Sequence, residues 1–96
     1  DVIIPSLLLD WFWKVGIKMT LENAIRKRIY ELSQEKNITI HKVSTLAGLP
    51  HTTLLSFMNK ETHNPRISTL LHICEAMNIT LSDFFNSPLF NDVKDE

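Results

Sequence analysis

The chain has 96 residues, of which 44% are hydrophobic and 22% charged, which is ordinary for one soluble globular domain. Its formal net charge of −1 counts against a strong affinity for nucleic acid that rests on bulk positive charge. Cys74 is the only cysteine, so an intramolecular disulfide is excluded and a reducing, cytoplasmic location is expected.

The first eighteen residues differ from the rest, because they contain both tryptophans and a dense run of large apolar side chains. One interpretation is that Met19 is the natural start and that residues 1–18 are a remnant of cloning or upstream translation. Another is an amphipathic helix from Ser6 that packs on the domain or on a partner. No membrane span is expected, because Asp10 interrupts the apolar run. Three segments follow: an N-terminal extension at 1–18, a folded domain at 19–90 and an acidic tail at 91–96.

Apolar residues at helical spacing, together with capping residues, predict five helices and no substantial sheet. The predicted helices span about 21–36, 40–47, 50–58, 67–77 and 81–86. Threonines are the expected N-caps of the first, second and fifth helices: Thr20, Thr39 and Thr80. In the second helix Val43, Leu46 and Ala47 are expected to face inward. The fourth helix is apolar on more than one face, as expected for the centre of a bundle.

The most informative segment is VSTLAGLPHTTLLSFMNK, from Val43 to Lys60. Two short helices joined by a tight turn that contains Gly, here Gly48, are typical of a helix-turn-helix. Pro50 suits the first turn of the second of these helices, because its missing N–H would be unpaired there. In DNA-binding versions that helix enters the major groove. The segment therefore predicts a function as well as a fold.

From about Leu21 to Phe85 the chain resembles the phage-repressor family, also called Cro/cI-type or XRE-type. The resemblance rests on VSTLAGLPHTTLLSFMNK followed by NPRISTLLHICEAMNITLSDFF. It implies an all-α, five-helix, lambda-repressor-like DNA-binding domain with the helix-turn-helix at helices 2 and 3. Three positions depart from the family pattern, which usually has Ala, Gly and a Ser or Thr cap there: Ser44, Lys60 and Arg66. Arg66 gives up a side-chain cap worth about 1 kcal/mol.

The resemblance further implies a sequence-specific transcriptional regulator, a repressor, on the nucleoid of a bacterium. It is expected to bind a two-fold related operator in double-stranded DNA as a homodimer. The exposed start of helix 3 is expected to read bases through His51, Thr52, Leu55 and Ser56. For Leu55, packing against the following loop is an equal alternative to contact with a thymine methyl group.

Phosphate contacts and a dimer surface are also expected from the resemblance. The phosphate candidates are Thr39, Lys42, Asn59, Lys60, Asn64 and Arg66. The dimer candidates are Phe84, Phe85, Leu89 and Phe90, with the alternative that at least Phe84 and Leu81 close the core. A further cationic run, Arg26 to Arg28, lies in the middle of helix 1, where a solvated face is favoured over phosphate contact.

The four histidines lack metal-site spacing, and no Cys-x-x-Cys occurs, so neither a metal nor a cofactor is predicted. No Gly-rich phosphate loop, nucleophile elbow or carboxylate pair is present, so neither an enzyme nor a small-molecule substrate is expected. The rival interpretation is a protein-interaction module on the same fold, such as an antitoxin or accessory factor. The low charge and the apolar residues 1–18 favour this rival.

Overall fold

A computed structural model describes residues 19–62 and 64–94, so the interpretations of residues 1–18 lie outside it. In chain order the described residues form β1 (Met19–Thr20), α1 (Leu21–Glu35), α2 (Ile40–Ala47), α3 (His51–Met58), α4 (Ile67–Ala76), α5 (Leu81–Phe85), a 3₁₀ helix (Pro88–Phe90) and β2 (Val93–Lys94). The predicted all-α, five-helix architecture is confirmed, and each predicted helix end lies within one residue of the observed one. Within the described ranges, no helix is long and apolar enough to cross a bilayer.

Threonine hydroxyls cap three helices as predicted, each accepting a hydrogen bond from the N–H three residues later. The caps are Thr20 for α1, Thr39 for α2 and Thr80 for α5. Asp83 completes a capping box at α5, because its carboxylate also accepts from the Thr80 N–H. Arg66 precedes α4 without a side-chain cap, as its residue type predicts.

Four helices end in the same way, with one residue in the left-handed conformation followed by a bond back into the helix. The left-handed residues are Asn37 (φ 57°), Gly48 (φ 69°), Lys60 (φ 65°) and Asn78 (φ 58°). In each case the next residue donates its N–H to a carbonyl five residues earlier, at 2.8–3.0 Å. A Cβ at Gly48 would meet nothing within 4 Å, so a lack of space does not explain the glycine. The left-handed backbone conformation explains it, because glycine adopts this conformation without strain.

The core lies where the inner faces of all five helices meet. It consists of Ile25, Ile29, Leu32, Val43, Leu54, Phe57, Leu70, Ile73, Cys74, Met77 and Phe84. The expectation for Leu46 was wrong, because the buried face of α2 centres on Val43 and Ser44 and leaves Leu46 50% exposed. The small Ser44 replaces the usual Ala at this buried position without an unsatisfied polar atom.

One face of α4 is buried, and its remaining apolar residues lie in solvent. Ile67 is 75% exposed, and Leu71, one turn later, is also exposed. The second apolar face that the sequence suggested is therefore not a packing face in this chain. Elsewhere β1 pairs in parallel with β2, with Met19 opposite Val93, and this pairing joins the acidic tail to the start of the domain. Two residues per strand are too few to produce a recognisable alternation in the sequence.

Candidate nucleic-acid interface

The third helix buries one side and presents the other to solvent. Leu54 and Phe57 lie in the core, as their spacing predicts, and this fixes which residues face outward. The outward residues include three of the four base-reading candidates, His51, Thr52 and Leu55, while Ser56 is half-buried. Leu55 is 53% exposed, so contacts with the loop do not cover it. A large apolar group therefore remains on this otherwise polar face.

At the start of α3, His51 is held against a residue of the preceding helix. The imidazole rings of His51 and His41 are stacked, with centroids 4.0 Å apart and an interplanar angle of 17°. His41 lies in the first turn of α2, so the stack spans the turn of the helix-turn-helix. No spacing rule in the sequence indicates this contact, because the two residues belong to different helices.

A groove of about 350 Å³ separates α3 from the loop and the first turn of α4. It brings together base-reading and phosphate candidates that are distant in the sequence: Thr52, Ser56, Asn64 and Arg66. Two hydroxyl residues that the sequence did not single out, Thr62 and Thr69, also line it. The groove has an apolar floor of core side chains, so its polar groups are concentrated at the rim.

The remaining phosphate candidates lie at the two ends of the helix-turn-helix, and all of them are exposed: Thr39, Lys42, Asn59 and Lys60. The Thr39 hydroxyl oxygen accepts the Lys42 N–H at 3.0 Å, which leaves its proton free to donate to a phosphate. Between Thr39 and Arg66 the sequence contains three Lys or Arg and one acidic residue, Glu61. The segment thus carries +2, although the whole chain carries −1.

The arginines of α1 do not form the solvated face that was favoured for them. Arg26 is only 6% exposed, and its guanidinium donates to backbone carbonyls at the end of α3 and in the loop that follows. Arg28 donates to the carbonyls of Phe84 and Asp83 at 2.7 and 2.8 Å, at the end of α5. Burial of Arg26 also removes it from contact with phosphate. Charge runs in the sequence do not distinguish such internal bonds from solvent exposure.

The candidate dimer surface divides into a buried and an exposed part. Phe84 is completely buried, so it closes the core and cannot form a surface. Phe85 is 40% exposed, and Leu89 and Phe90 are half-buried. The Phe85 ring meets the Phe84 and Phe90 rings edge-on, with both centroid distances 5.0 Å. Phe85, Leu89 and Phe90 therefore remain as dimer candidates, and the Phe85 ring packs against the buried Phe84 ring.

The titratable groups in the described part of the chain do not form an evident nucleophilic or metal-binding site. Burial raises the pKa of the Cys74 thiol, and the nearby Arg28 cation opposes this shift. A buried thiol with a raised pKa is a poor nucleophile. The described ranges contain no group of three or more His, Cys, Asp or Glu that could hold a metal ion.

Known proteins share this fold and sequence pattern. Residues 28–88 match the model of the Cro/C1-type HTH DNA-binding domain family. Over 62 residues the chain is 31% identical to the HTH-type transcriptional regulator PuuR of Escherichia coli (strain K12) and to PuuR of Shigella flexneri. These matches cover 65% of this chain but only 33% of each relative, so the chain spans about a third of their length.

A solved structure agrees with the sequence comparisons. The crystal structure of the prophage Lp1 protein 11 superposes with a TM-score of 0.69 and 32% sequence identity. The match covers 78% of this chain and 99% of that one. Together with the observed helix-turn-helix geometry, these similarities show that the chain belongs to the family of Cro/C1-type helix-turn-helix DNA-binding domains.

Proposed function

We propose that the chain is a sequence-specific transcriptional repressor that reads the major groove of a two-fold related operator with α3. It binds as a homodimer, because one eight-residue helix contacts too few base pairs for high specificity. The observation that carries the proposal is the outward face of α3, where His51, Thr52 and Leu55 are exposed within a segment of local charge +2. A cationic segment around an exposed helix matches the phosphate-lined major groove.

Each of the four base-reading candidates has a role in this proposal. His51 donates to N7 or O6 of guanine, and the hydroxyls of Thr52 and Ser56 donate to or accept from base edges. Leu55 contacts a thymine methyl group, which supplies an apolar partner for an otherwise wet side chain. Around them, the exposed residues at the ends of α2 and α3 and at the start of α4 contact phosphates and orient the helix.

Selection of bound duplexes from a random pool tests the proposal, followed by titration with the selected operator and a scrambled duplex. The double variant His51→Ala/Thr52→Ala is expected to lose the preference for the operator and keep its fold. The matched control, His72→Ala/Ser82→Ala, removes an exposed imidazole and an exposed hydroxyl from α4 and α5. If the first variant retained the footprint of the wild type, α3 would not be the reader.

Salt dependence tests the phosphate contacts separately. In this proposal three exposed cations per subunit neutralise phosphates: Lys42, Lys60 and Arg66. Six such cations in a dimer predict a log–log slope of about −5 for affinity against salt concentration. A slope steeper than about −6 would require further cations.

The dimer and the repressor role have their own tests. Sedimentation of the protein with and without the operator tests whether it binds as a dimer. If the protein is a repressor, it should reduce expression from a promoter that overlaps the operator.

The second candidate is a protein-interaction module, and the exposed apolar residues favour it. Leu55 and Ile67 are both more than half exposed on α3 and α4. If the folded wild type selected no duplex above the scrambled control, this candidate would replace the first.

A further inference from the structure

Arg26 makes several contacts with the helix that is proposed to read DNA and with the loop that follows it. Its Nε donates to the Phe57 carbonyl at 2.6 Å, and its Nη2 donates to the Thr62 carbonyl at 3.0 Å. Its Nη1 donates to the Asn23 side chain at 2.8 Å within α1. The guanidinium carbon also lies 4.6 Å from the centroid of the Phe57 ring. One buried planar group therefore joins α1 to the last turn of α3 and to the loop beyond it.

The accepting carbonyls explain why a buried cation is tolerated here. The Phe57 carbonyl is one of the last four of α3, which have no partner inside the helix, and it also accepts the Lys60 N–H at 3.1 Å. A cation at a helix C-terminus is favoured by the helix dipole. The bonds leave the guanidinium in a fixed orientation, because its donors lie in one rigid plane. The donors of lysine all lie on one nitrogen atom, so a lysine here could not reach the three separate acceptors that the guanidinium contacts.

We infer that Arg26 is a positioning residue for DNA recognition, which acts through the C-terminal end of α3 and never contacts DNA itself. This inference rests on the proposed function of α3. Ser56 immediately precedes the held residue Phe57, and the loop from Thr62 leads to Asn64 and Arg66 in the groove. Recognition requires contacting groups to lie within about 0.5 Å of the productive geometry. Release of the Arg26 bonds frees the end of α3 to shift relative to Asn64 and Arg66, the groove residues that are proposed to contact phosphates.

Arg28 provides an internal comparison on the same helix. It also donates two bonds to carbonyls at a helix end, but that helix is α5. Arg26→Lys is therefore expected to increase amide hydrogen exchange at Asn59 and Glu61, after α3. Arg28→Lys is expected to increase exchange at Asn86 and Ser87, after α5. If both variants increased exchange equally after α3 and after α5, Arg26 would not act locally on the end of α3.

The decisive measurement is the ratio of affinities for the selected operator and a scrambled duplex, at one salt concentration. We expect Arg26→Lys to lower this ratio at least about fivefold, the low end of what one base contact contributes, and Arg26→Met to lower it further. Binding to the scrambled duplex should change less, because the phosphate-contacting cations are intact. The control is Cys74→Ala, a core change on α4 that should leave the ratio as in the wild type. Urea unfolding of each variant is measured as well, and binding is compared at a temperature at which all of the variants are folded.

The outcomes separate this inference from the proposal on which it rests. A wild type with no preferred duplex would reject the proposed function. A wild type with a preferred duplex and an unchanged ratio in Arg26→Lys would reject the positioning role alone. A fall in the ratio that Cys74→Ala also shows would mean that general loosening of the core is responsible, and would likewise overturn the positioning role.

Discussion

The imidazole ring of His41 lies parallel to that of His51, with centroids 4.0 Å apart. The contact connects the first turn of α2 with the first residue of α3, across the turn that contains Gly48. Stacking restricts the rotamers available to His51, which is otherwise exposed. A side chain that donates to a base edge loses less entropy on binding when its orientation is already fixed.

We therefore expect His41→Ala to weaken operator binding by about two- to tenfold, since aromatic pairs contribute about 0.5–1.5 kcal/mol beyond area burial. His41→Phe keeps an aromatic ring in the stack and should bind nearly as tightly as the wild type. Titration of the operator with both variants measures the difference. An equal loss in both variants would mean that the imidazole of His41 contacts DNA directly, against the positioning role.

Lys60 occupies a left-handed conformation, φ 65°, which costs about 1–2 kcal/mol for a residue with a Cβ. Lys60→Gly is therefore expected to raise the free energy of unfolding by up to about 1 kcal/mol, after the entropic cost of glycine. The same change removes a proposed phosphate contact, so the salt slope should fall by about 1 per subunit.

Lys60→Arg is the matched control, because it keeps both the charge and the strained backbone. It should leave the salt slope and the urea midpoint close to those of the wild type. Tighter operator binding by Lys60→Gly than by Lys60→Arg would contradict the assignment of Lys60 to phosphate contact.

Helical spacing and capping residues predict the helices of this chain well. The features that they do not predict depend on contacts between helices. Thr39 and Thr80 were identifiable as caps because a cap needs only the residues that follow it. The His41–His51 stack and the Arg26 bonds join groups from separate helices, so their existence depends on how the helices pack. Phe84 and Phe85 are adjacent and chemically identical, so the sequence offered burial of Phe84 only as an alternative, and the packing of α5 decides it. Local rules could predict which face of α3 is exposed, and they could not predict the contacts from other helices that hold that face in place.

Thr39 and Thr80 cap their helices with the same geometry, each accepting an N–H three residues later at 3.0 Å. Replacement of either by Ala should cost about 1 kcal/mol of unfolding free energy. Only Thr39→Ala should also weaken DNA binding, because the Thr39 hydroxyl has a second proposed partner in a phosphate. Paired urea and operator titrations measure both quantities. Equal operator affinities in the two variants would remove Thr39 from the phosphate-contacting set.

The buried Phe84 and the exposed Phe85 should differ in what their loss affects. Phe84→Ala leaves a large core cavity and should destabilise the fold by about 3–5 kcal/mol. Phe85 is 40% exposed, so Phe85→Ala should cost much less stability and instead shift the monomer–dimer equilibrium toward monomer. Urea unfolding and sedimentation distinguish these effects. A dimer constant unchanged by Phe85→Ala would exclude this aromatic surface as the subunit interface.

Cys74 should make the stability of the fold decrease at alkaline pH. Burial raises the pKa of its thiol above the ordinary value, with opposition from the Arg28 cation. Between the ordinary pKa and the raised pKa, the unfolded chain has released the proton that the folded protein still holds. The folded state then binds more protons, so the free energy of unfolding falls as pH rises. The contribution of Cys74 is complete below the ordinary thiol pKa and is lost as pH rises through the folded-state value.

The measurement compares urea midpoints of the wild type and Cys74→Ala at about pH 7 and about pH 10. The wild type should lose more stability over this range than the variant, because the variant has no thiol to ionise. The two proteins are identical at every other position, so the difference between their losses reports the thiol alone. Parallel losses in the two proteins would show that the thiol ionises as readily in the folded state as in the unfolded chain, against its burial among the core side chains of α4.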